Sequence, residues 1–414
     1  MPQDRRIVIT GMGLISPLGN QVDLFWERLL AGESGIAPLT RFKCDDIDVT
    51  FGGECREFDP ETYLEKKEIK RLDRFAQFAM AASAEAFKAS GLEKGAGDPS
   101  RLGVIIGSGI GGLAELEEQT TRLNAKGPSK VSAFTIPKLM VNAASGNVSI
   151  LLGAKGPNTA VATACASATN AMGDAVHAIR RGDADVMITG GSEAALIRLG
   201  LSAFASMKAL STRNDAPKKA SRPFDRDRDG FVMGEGAACF VFEELEHARK
   251  RGARIWAEVL GYGMSGDANH ITQPDEQGRG GAAAMRSAVR DAGLNPDQID
   301  YVNAHGTGTP LGDVAETTAI KSVFGSHASK LRISSTKSSI GHLLGASGGV
   351  ELIATVMALE NGVISPTINL ENAAEGCDLN YTPLTPQDAK VNTAISNSFG
   401  FGGHNACIVV GKLR

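Results

Sequence analysis

The stretch CASATNAMGDAVHAIRRG, beginning at Cys165, aligns without gaps to GASGGVELIATVMALENG, beginning at Gly345. Both continue Ala-Ser after the first position, both follow a strand-like segment, and both close on a glycine placed to cap a helix. This echo predicts two halves of one fold, packed back to back and joined near residue 255. Around it, strand-like runs recur: RRIVIT, RLGVIIG, TAVATA, ADVMITGG, AACFVFEEL, RIWAEVLGYG, IDYVNAHG, LRISST, and NTAISNSFG with ACIVVG. Helical patterns such as KRLDRFAQFAMAASAEAFKASG and GGAAAMRSAVRDAGL lie between them. The alternation predicts an α/β protein with largely buried sheets and no low-complexity linker. Residues 1–255 then form the half that carries Cys165, and residues 256–414 the half that carries His305 and His342.

Cys165 sits among side chains as small as its own, in ATACASATN. PNTAVATA before it reads as a buried strand and NAMGDAVHAIRRG after it as a helix closed by Gly182. A cysteine at such a junction meets free backbone N–H groups and the positive end of a helix dipole. A thiolate there is expected to have a lowered pKa and to act as a nucleophile. The plainer reading is a small, buried, inert cysteine.

Composition narrows the setting. Of 414 residues, 49 are glycine and only 5% aromatic, which predicts tight turns and closely packed small-residue helices. A net charge of −4 argues against bulk affinity for nucleic acid or an anionic membrane. The six cysteines form no CxxC pair, a pattern of a reducing compartment and not of a disulfide framework or zinc site. The start, MPQDRRIVITGMG, runs into a strand without a signal peptide's apolar core, and no window approaches the roughly 18 apolar residues of a membrane span. A soluble, cytoplasmic protein is expected.

Three further motifs bear on chemistry. Gly107-Ser-Gly109-Ile-Gly-Gly112 satisfies G-x-G-x-x-G directly after a strand-like run, the pattern of a dinucleotide loop. No second strand ending in an acid follows at the distance such a site requires. His305, in NAHGTGTPLGD, and His342, in STKSSIGHLLGASGG, each follow a strand-like run among glycine and hydroxyl residues. Two neutral imidazoles converging on a sulfur can donate hydrogen bonds to an enolate or oxyanion, with Lys337 and Glu351 tuning the local charge. The alternative is a pair of loop histidines. Near the end, NSFGFGGHN offers glycine-permitted backbone around two aromatics, suited to an oxyanion-hole amide and an aromatic gate.

Taken together, TACAS, NAHGTGTPLGD, TKSSIGHLLGASG and NSFGFGG resemble the β-ketoacyl-acyl carrier protein synthases, condensing enzymes of the thiolase fold. The resemblance runs from ITGMGLISPLGN to the last strand, and DANHITQP with Ile110 after GSG looks closest to synthase II. It implies a five-layered α/β fold of two pseudo-repeated halves, with mixed sheets around buried helices, and a homodimer. It implies decarboxylative condensation of malonyl-carrier protein with an acyl group held on Cys165, extending a fatty acid by two carbons. His305 and His342 would promote decarboxylation, Lys337 and Glu351 would hold the histidines and the charge balance, and the amides of Cys165 and Phe401 would form the oxyanion hole.

The resemblance further implies substrate contacts at Ile110, Phe134, Thr272, Thr307, Thr309, Phe399, Gly400 and Gly402. Acidic acyl carrier protein would dock on Lys67, Lys70, Arg71 and Lys208; the spacing in LEKKEIKRLDRF places the first three with Arg74 on one helical face. Asn303, Glu351, Ser396 and Asn397 match positions that bind a structural monovalent cation in some members; no other cofactor is expected. The competing readings are a polyketide-type or synthase I-like ketosynthase, a thiolase using Cys407 as a second cysteine, a nucleotide-dependent oxidoreductase, and a non-catalytic partner subunit.

Overall fold

The computed structural model describes residues 5–414. Met1–Asp4, the first residues of the stretch read for targeting signals, lie outside the described residues. The first half of the chain contributes β1 (Ile7–Ile15), α1 (Arg74–Ala89), β2 (Leu102–Gly107), β3 (Asn158–Val161), α2 (Ser167–Arg181), β4 (Val186–Glu193) and β5 (Gly236–Glu244). The second half contributes β6 (Ala257–Gly266), α3 (Arg279–Asp291), β7 (Tyr301–Asn303), α4 (Pro310–Phe324), β8 (Arg332–Ser334), α5 (Ser347–Asn361), β9 (Thr393–Gly400) and β10 (His404–Gly411).

These ten strands form one sheet, in the order β8-β7-β9-β10-β6-β1-β5-β4-β2-β3. Read outward from the middle, each half has the same topology. In the first, β1 and β5 pair antiparallel, β5 and β4 antiparallel, and β4, β2 and β3 parallel. In the second, β6 and β10, then β10 and β9, pair antiparallel, whereas β9, β7 and β8 run parallel. The halves join where β1 meets β6 antiparallel, over the partners Ile7–Val259, Val8–Glu258 and Ile9–Ala257. Each half is thus a copy of the other in strand order and direction.

The helices complete the layers. Both α2 and α5 touch strands of the two half-sheets and each other, so they lie between them; α1 covers the outer face of the first half-sheet and α3 that of the second. This is a five-layered α/β/α/β/α arrangement. The main apolar core lies in the middle layer, where Met172, Val176 and Ile179 of α2 and Val350, Ile353 and Val356 of α5 meet Phe240 of β5 and Ile408 of β10. Each fully buried aliphatic side chain there contributes about 1.5–3 kcal/mol relative to an exposed one. α5 is buried from Ser347 to Leu359, with Glu351 its one charged residue over that span, whereas α2 keeps Asp174, His177 and Arg181 exposed on its open side. Among the described residues no helix is long and apolar enough to cross a membrane.

The sequence echo lies within these central helices. A 3₁₀ turn at Ala164–Ala166 leads into α2, which ends on Gly182 in the left-handed conformation; a 3₁₀ turn at Leu344–Ala346 leads into α5, which ends on Gly362 in the same way. The two helices match residue for residue.

Candidate active site

The nucleophile candidate owes its position to a strained turn. Strand β3 stops at Val161, and Ala164 takes a φ of 48°, a left-handed conformation that costs an L-residue about 1–2 kcal/mol. The turn is held by Ser167, whose Oγ accepts from the Thr163 N–H (2.9 Å) and donates to the Ala164 carbonyl (2.7 Å). Leu344, the counterpart of Ala164 in the second half, has a φ of 49°. The kink therefore belongs to the repeated scaffold, which the first half uses to present a thiol beside the N-terminus of α2.

That thiol is not pre-ionised. The sequence reading expected a lowered pKa; instead burial pushes the Cys165 thiol up to about 12, against the pull of the Lys337 ammonium and the Phe401 amide. Desolvation outweighs a helix terminus because Cys165 is buried, 9% exposed at the inner end of the site. A proton acceptor stands next to it: His342 Nε2 lies 3.0 Å from Cys165 Sγ, and its Nδ1 lies 2.8 Å from Ser347 Oγ. The His342 main chain is pinned by bonds from its N–H to the Val232 carbonyl (2.7 Å) and from the Gly234 N–H to its own carbonyl (2.9 Å).

His305 completes the group, its ring edge-on to that of His342 with centroids 5.3 Å apart. Lys337 Nζ lies 3.4 Å from His305 Nδ1 and forms an ion pair with Glu351, both groups being fully buried. An ammonium can only donate, so Nδ1 accepts and the ring proton resides on Nε2. Burial and Lys337 hold both imidazoles well below the usual histidine range, and His342 adds to the effect on His305. The site thus offers two neutral imidazoles beside one sulfur.

The chain around His305 is held by two acids that the sequence reading did not single out. Glu316 accepts from the N–H groups of His305 (2.8 Å) and Gly306 (2.7 Å). Asp313 accepts from those of Phe224 (2.7 Å) and Gly308 (3.1 Å). Both lie on α4, three residues apart on its buried face; two acids at helical spacing among small residues were the available signal.

These residues open onto a cavity of 620 Å³. Of the expected substrate contacts, Ile110, Thr272, Thr307, Thr309, Phe399 and Gly400 line it, as does the gate candidate Phe401. Gly400 lies against the nucleophile turn, where a Cβ would come within 2.9 Å of the Thr163 carbonyl and 3.0 Å of the Cys165 nitrogen. Phe134 and Gly402 are placed elsewhere. Phe134 is 44% exposed with the Arg71 guanidinium over its ring, and Gly402 turns outward, donating to the Ile271 carbonyl. Cys407 is buried in β10, away from the cavity.

One sequence reading is corrected. Lys67, Lys70, Arg71 and Arg74 do not share a helix: a short helix spans Lys66–Ile69, and α1 begins afresh at Arg74, with Asp73 as its N-cap. Asp73 breaks the pattern because its carboxylate accepts from the Phe75 N–H, closing a new helix start. Arg74 turns inward to the buried Glu235 (2.9 Å), whereas Lys67, Lys70, Arg71 and Lys208 are exposed and Lys208 reaches the cavity mouth. The glycine loop is no phosphate cradle, in line with the missing acid-ended second strand. Its Gly109 and Ile110 amides donate to the buried carboxylate of Glu193 at 2.7 and 3.3 Å, leaving none of this pair free for a pyrophosphate.

The proposed cation positions fit in part. Asn303 Oδ1, Glu351 Oε2 and Ser396 Oγ are buried without hydrogen-bond partners, and Ser396 pairs with Asn303 across β9 and β7, so both face α5. Three unsatisfied oxygens, one on a carboxylate, suit a small monovalent cation. Asn397 Oδ1 is likewise buried without a partner, but Asn397 follows Ser396 along β9 and faces the other side of the sheet, where its Nδ2 donates to Glu316 Oε1 (3.1 Å). Its side chain does not join the other three. Among the described residues no cluster of histidine, cysteine and acids suits a transition metal.

Comparison with known proteins places this geometry. Residues 4–248 match the family model described as beta-ketoacyl synthase, N-terminal domain, and residues 256–371 the beta-ketoacyl synthase, C-terminal domain. The chain is 51% identical over 412 residues to 3-oxoacyl-[acyl-carrier-protein] synthase 2 of Synechocystis sp., covering 100% of this chain and 99% of the relative. It is 50% identical over 411 residues to the protein of the same name from Coxiella burnetii, covering 99% of each. Among solved structures, a type II polyketide ketosynthase in complex with its acyl-carrier protein and bound to a hexaketide superposes with a TM-score of 0.93 at 32% identity, over the whole of both chains. A beta-ketoacyl synthase from Burkholderia phymatum superposes with a TM-score of 0.92 at 34% identity, covering 99% of this chain and 100% of that one. With both family domains matched in order and a thiol beside a pair of neutral imidazoles inside a thiolase fold, the chain belongs to the beta-ketoacyl synthase family.

Proposed function

We propose that this protein is a fatty-acid elongating condensing enzyme of the synthase II type, joining an acyl group held on Cys165 to malonyl-acyl carrier protein with loss of CO₂. The observation that carries the reading is the 3.0 Å contact between Cys165 Sγ and His342 Nε2, with the His305 ring edge-on to that of His342. In the first half-reaction the thiol attacks the acyl thioester. Its proton passes to His342 Nε2 and on to the departing pantetheine sulfur, leaving an acyl-Cys165 thioester and a free carrier thiol. The amides of Cys165 and Phe401 hold the tetrahedral oxyanion.

In the second half-reaction the acylated sulfur no longer gives a proton to His342. Ser347 Oγ can then donate to Nδ1, so that both histidines present Nε2–H to the malonyl thioester oxygen. The C–C bond to the carboxylate breaks, CO₂ leaves, and its electron pair becomes an enolate held by the two imidazoles. The enolate carbon attacks the acyl thioester, the C–S bond to Cys165 breaks, and the thiolate regains one proton from solvent. The Lys337 ammonium keeps His305 in the required tautomer, and Glu351 balances the buried charge.

The acyl chain occupies the cavity towards Ile110, while Thr307 and Thr309, whose hydroxyls lie 3.0 Å apart, line the pantetheine path with Thr272 and Phe399 at its side. Acidic carrier protein docks at Lys67, Lys70, Arg71 and Lys208. A monovalent cation held by Asn303, Glu351 and Ser396 would fix β7 and β9 behind His305. A homodimer is supported by β3, an edge strand, and by the nearby exposed side chains Ile136, Met140 and Ile150. On this reading residues 1–255 supply the nucleophile and 256–414 both histidines, in a cytoplasmic enzyme whose six cysteines remain reduced.

The test separates the half-reactions. Cys165→Ala is expected to abolish condensation while malonyl decarboxylation continues; His305→Ala or His342→Ala suppresses decarboxylation. Loss of both activities in a folded Cys165→Ala protein, followed as CO₂ release and product mass, would count against this division.

A further inference from the structure

Glu193 ends β4 and is fully buried, and among the described residues no cationic side chain pairs with it. Its carboxylate accepts four hydrogen bonds: from Ser108 Oγ (2.9 Å) and from the N–H groups of Gly109 (2.7 Å), Ile110 (3.3 Å) and Gly345 (3.1 Å). Three of these donors lie on the loop leaving β2. The fourth lies on the turn that follows His342, at the position which in the first half is Cys165. All four partners donate, so an acceptor-only carboxylate satisfies them all.

The neighbouring glycines follow from this clamp. A Cβ on Gly109 would come within 2.9 Å of Glu193 Oε2, and one on Gly345 within 2.6 Å of the same oxygen and 2.4 Å of the Gly109 nitrogen. The two loops therefore meet backbone to backbone around one carboxylate. Ile110, Leu344 and Glu193 all line the cavity, so the clamp fixes part of its wall. Burial pushes the Glu193 carboxyl up to about 7, and the four donors oppose that rise.

We propose that Glu193 is a positioning residue for acyl-chain length, tying the Ile110 loop to the turn after His342 and so fixing the depth of the acyl pocket. The proposal rests on reading the cavity as the acyl site with Ile110 at its floor. In Glu193→Gln an amide NH₂ replaces one oxygen and faces donors. The tether to one of the loops is lost while the side-chain volume is kept.

The experiment measures rates of Cys165 acylation by octanoyl- and hexadecanoyl-carrier protein, followed by intact mass and normalised to the thiols titrated by iodoacetamide. Glu193→Gln is expected to raise the hexadecanoyl-to-octanoyl ratio at least about fivefold, because the floor recedes when its tether is cut. A role in folding alone lowers both rates together and leaves the ratio where it was. A ratio that stays within about twofold of wild type, or falls, overturns the proposal. Should Glu193→Gln not fold, Ser108→Ala removes one of the four bonds, and its ratio must move in the same direction by less; an unchanged ratio there is equally fatal. Ile110→Phe, measured alongside, distinguishes the two levels of the argument. If it changes the chain-length profile and Glu193→Gln does not, the clamp fails alone; if it lowers all chain lengths equally, the floor assignment fails and the clamp proposal with it.

Discussion

At Cys165 two opposing influences meet. The helix N-terminus, Lys337 and the Phe401 amide favour the thiolate, and burial opposes them more strongly. On the proposed mechanism the thiol stays protonated until His342, 3.0 Å from the sulfur, takes its proton. The same burial, with Lys337 beside them, keeps both imidazoles neutral. A histidine whose folded pKa is depressed remains in its neutral form as pH falls through the ordinary value near 6.5, and is protonated only below its own lowered pKa. Decarboxylation by Cys165→Ala is therefore expected to stay level from about pH 8 to about pH 6. A fall centred near 6.5 in a CO₂-release assay would mean that the imidazoles titrate as exposed groups. The identities of Cys165, His305 and His342 were readable because each stood among glycines and hydroxyls where a core residue has no reason to stand. Glu193, Asp313 and Glu316 were not singled out, because an acid at the end of an apolar strand or helix face shows its purpose only when its donors are in place.

At the scale of elements, the ten strand-like runs all became strands of the large sheet, and the helical patterns became α1, α2 and α3. Hydrophobic periodicity is a local property, so it survives folding. The exception was the basic segment before α1, where the Asp73 cap divides one apparent helix into two. The glycine loop after β2 shows how a motif can be right in pattern and different in use, since Glu193 takes the amides that a phosphate would need. That loop supports a prediction about chain length. Ile110 is β-branched and stiff, half-buried against the cluster containing Phe231 and Leu344, and stands as a definite wall. Ile110→Phe is expected to spare hexanoyl primers and to fail on tetradecanoyl and longer ones. Excluding three methylenes at about 0.8 kcal/mol each costs about 2.4 kcal/mol, roughly sixtyfold in kcat/KM. Measured kcat/KM across the acyl series checks it, and a uniform fall would place the floor elsewhere.

For the whole molecule, the proposed function rests on two surfaces. Reversing charge at Lys67 and Arg71 is expected to raise KM for carrier-bound substrate with kcat little changed, and the effect should shrink with salt, since exposed charges are screened over about 10 Å at 0.1 M. Steady-state kinetics on carrier-bound and small pantetheine thioesters decide it, because equal impairment of both would remove the docking role. The second surface surrounds the edge strand β3. Ile150, 77% exposed, and Ile136, 61% exposed, are apolar areas of the kind an assembly covers. Ile136→Asp with Ile150→Asp is expected to convert a dimer into monomers by light scattering, and a mass unaffected by the changes would place the interface elsewhere. The sequence alone determined the strands, most of the helices, the repeat, the side chains that converge on the cavity and the family, because these depend on neighbours along the chain or on short motifs. Only the tertiary structure decided that the two repeats share one sheet through β1 and β6, that burial pushes the thiol's pKa up, that Asn397 faces away from Asn303 and Ser396, and that Glu193 joins two distant loops. Those outcomes depend on which groups lose water and which faces meet, and neither quantity is fixed until distant segments pack together.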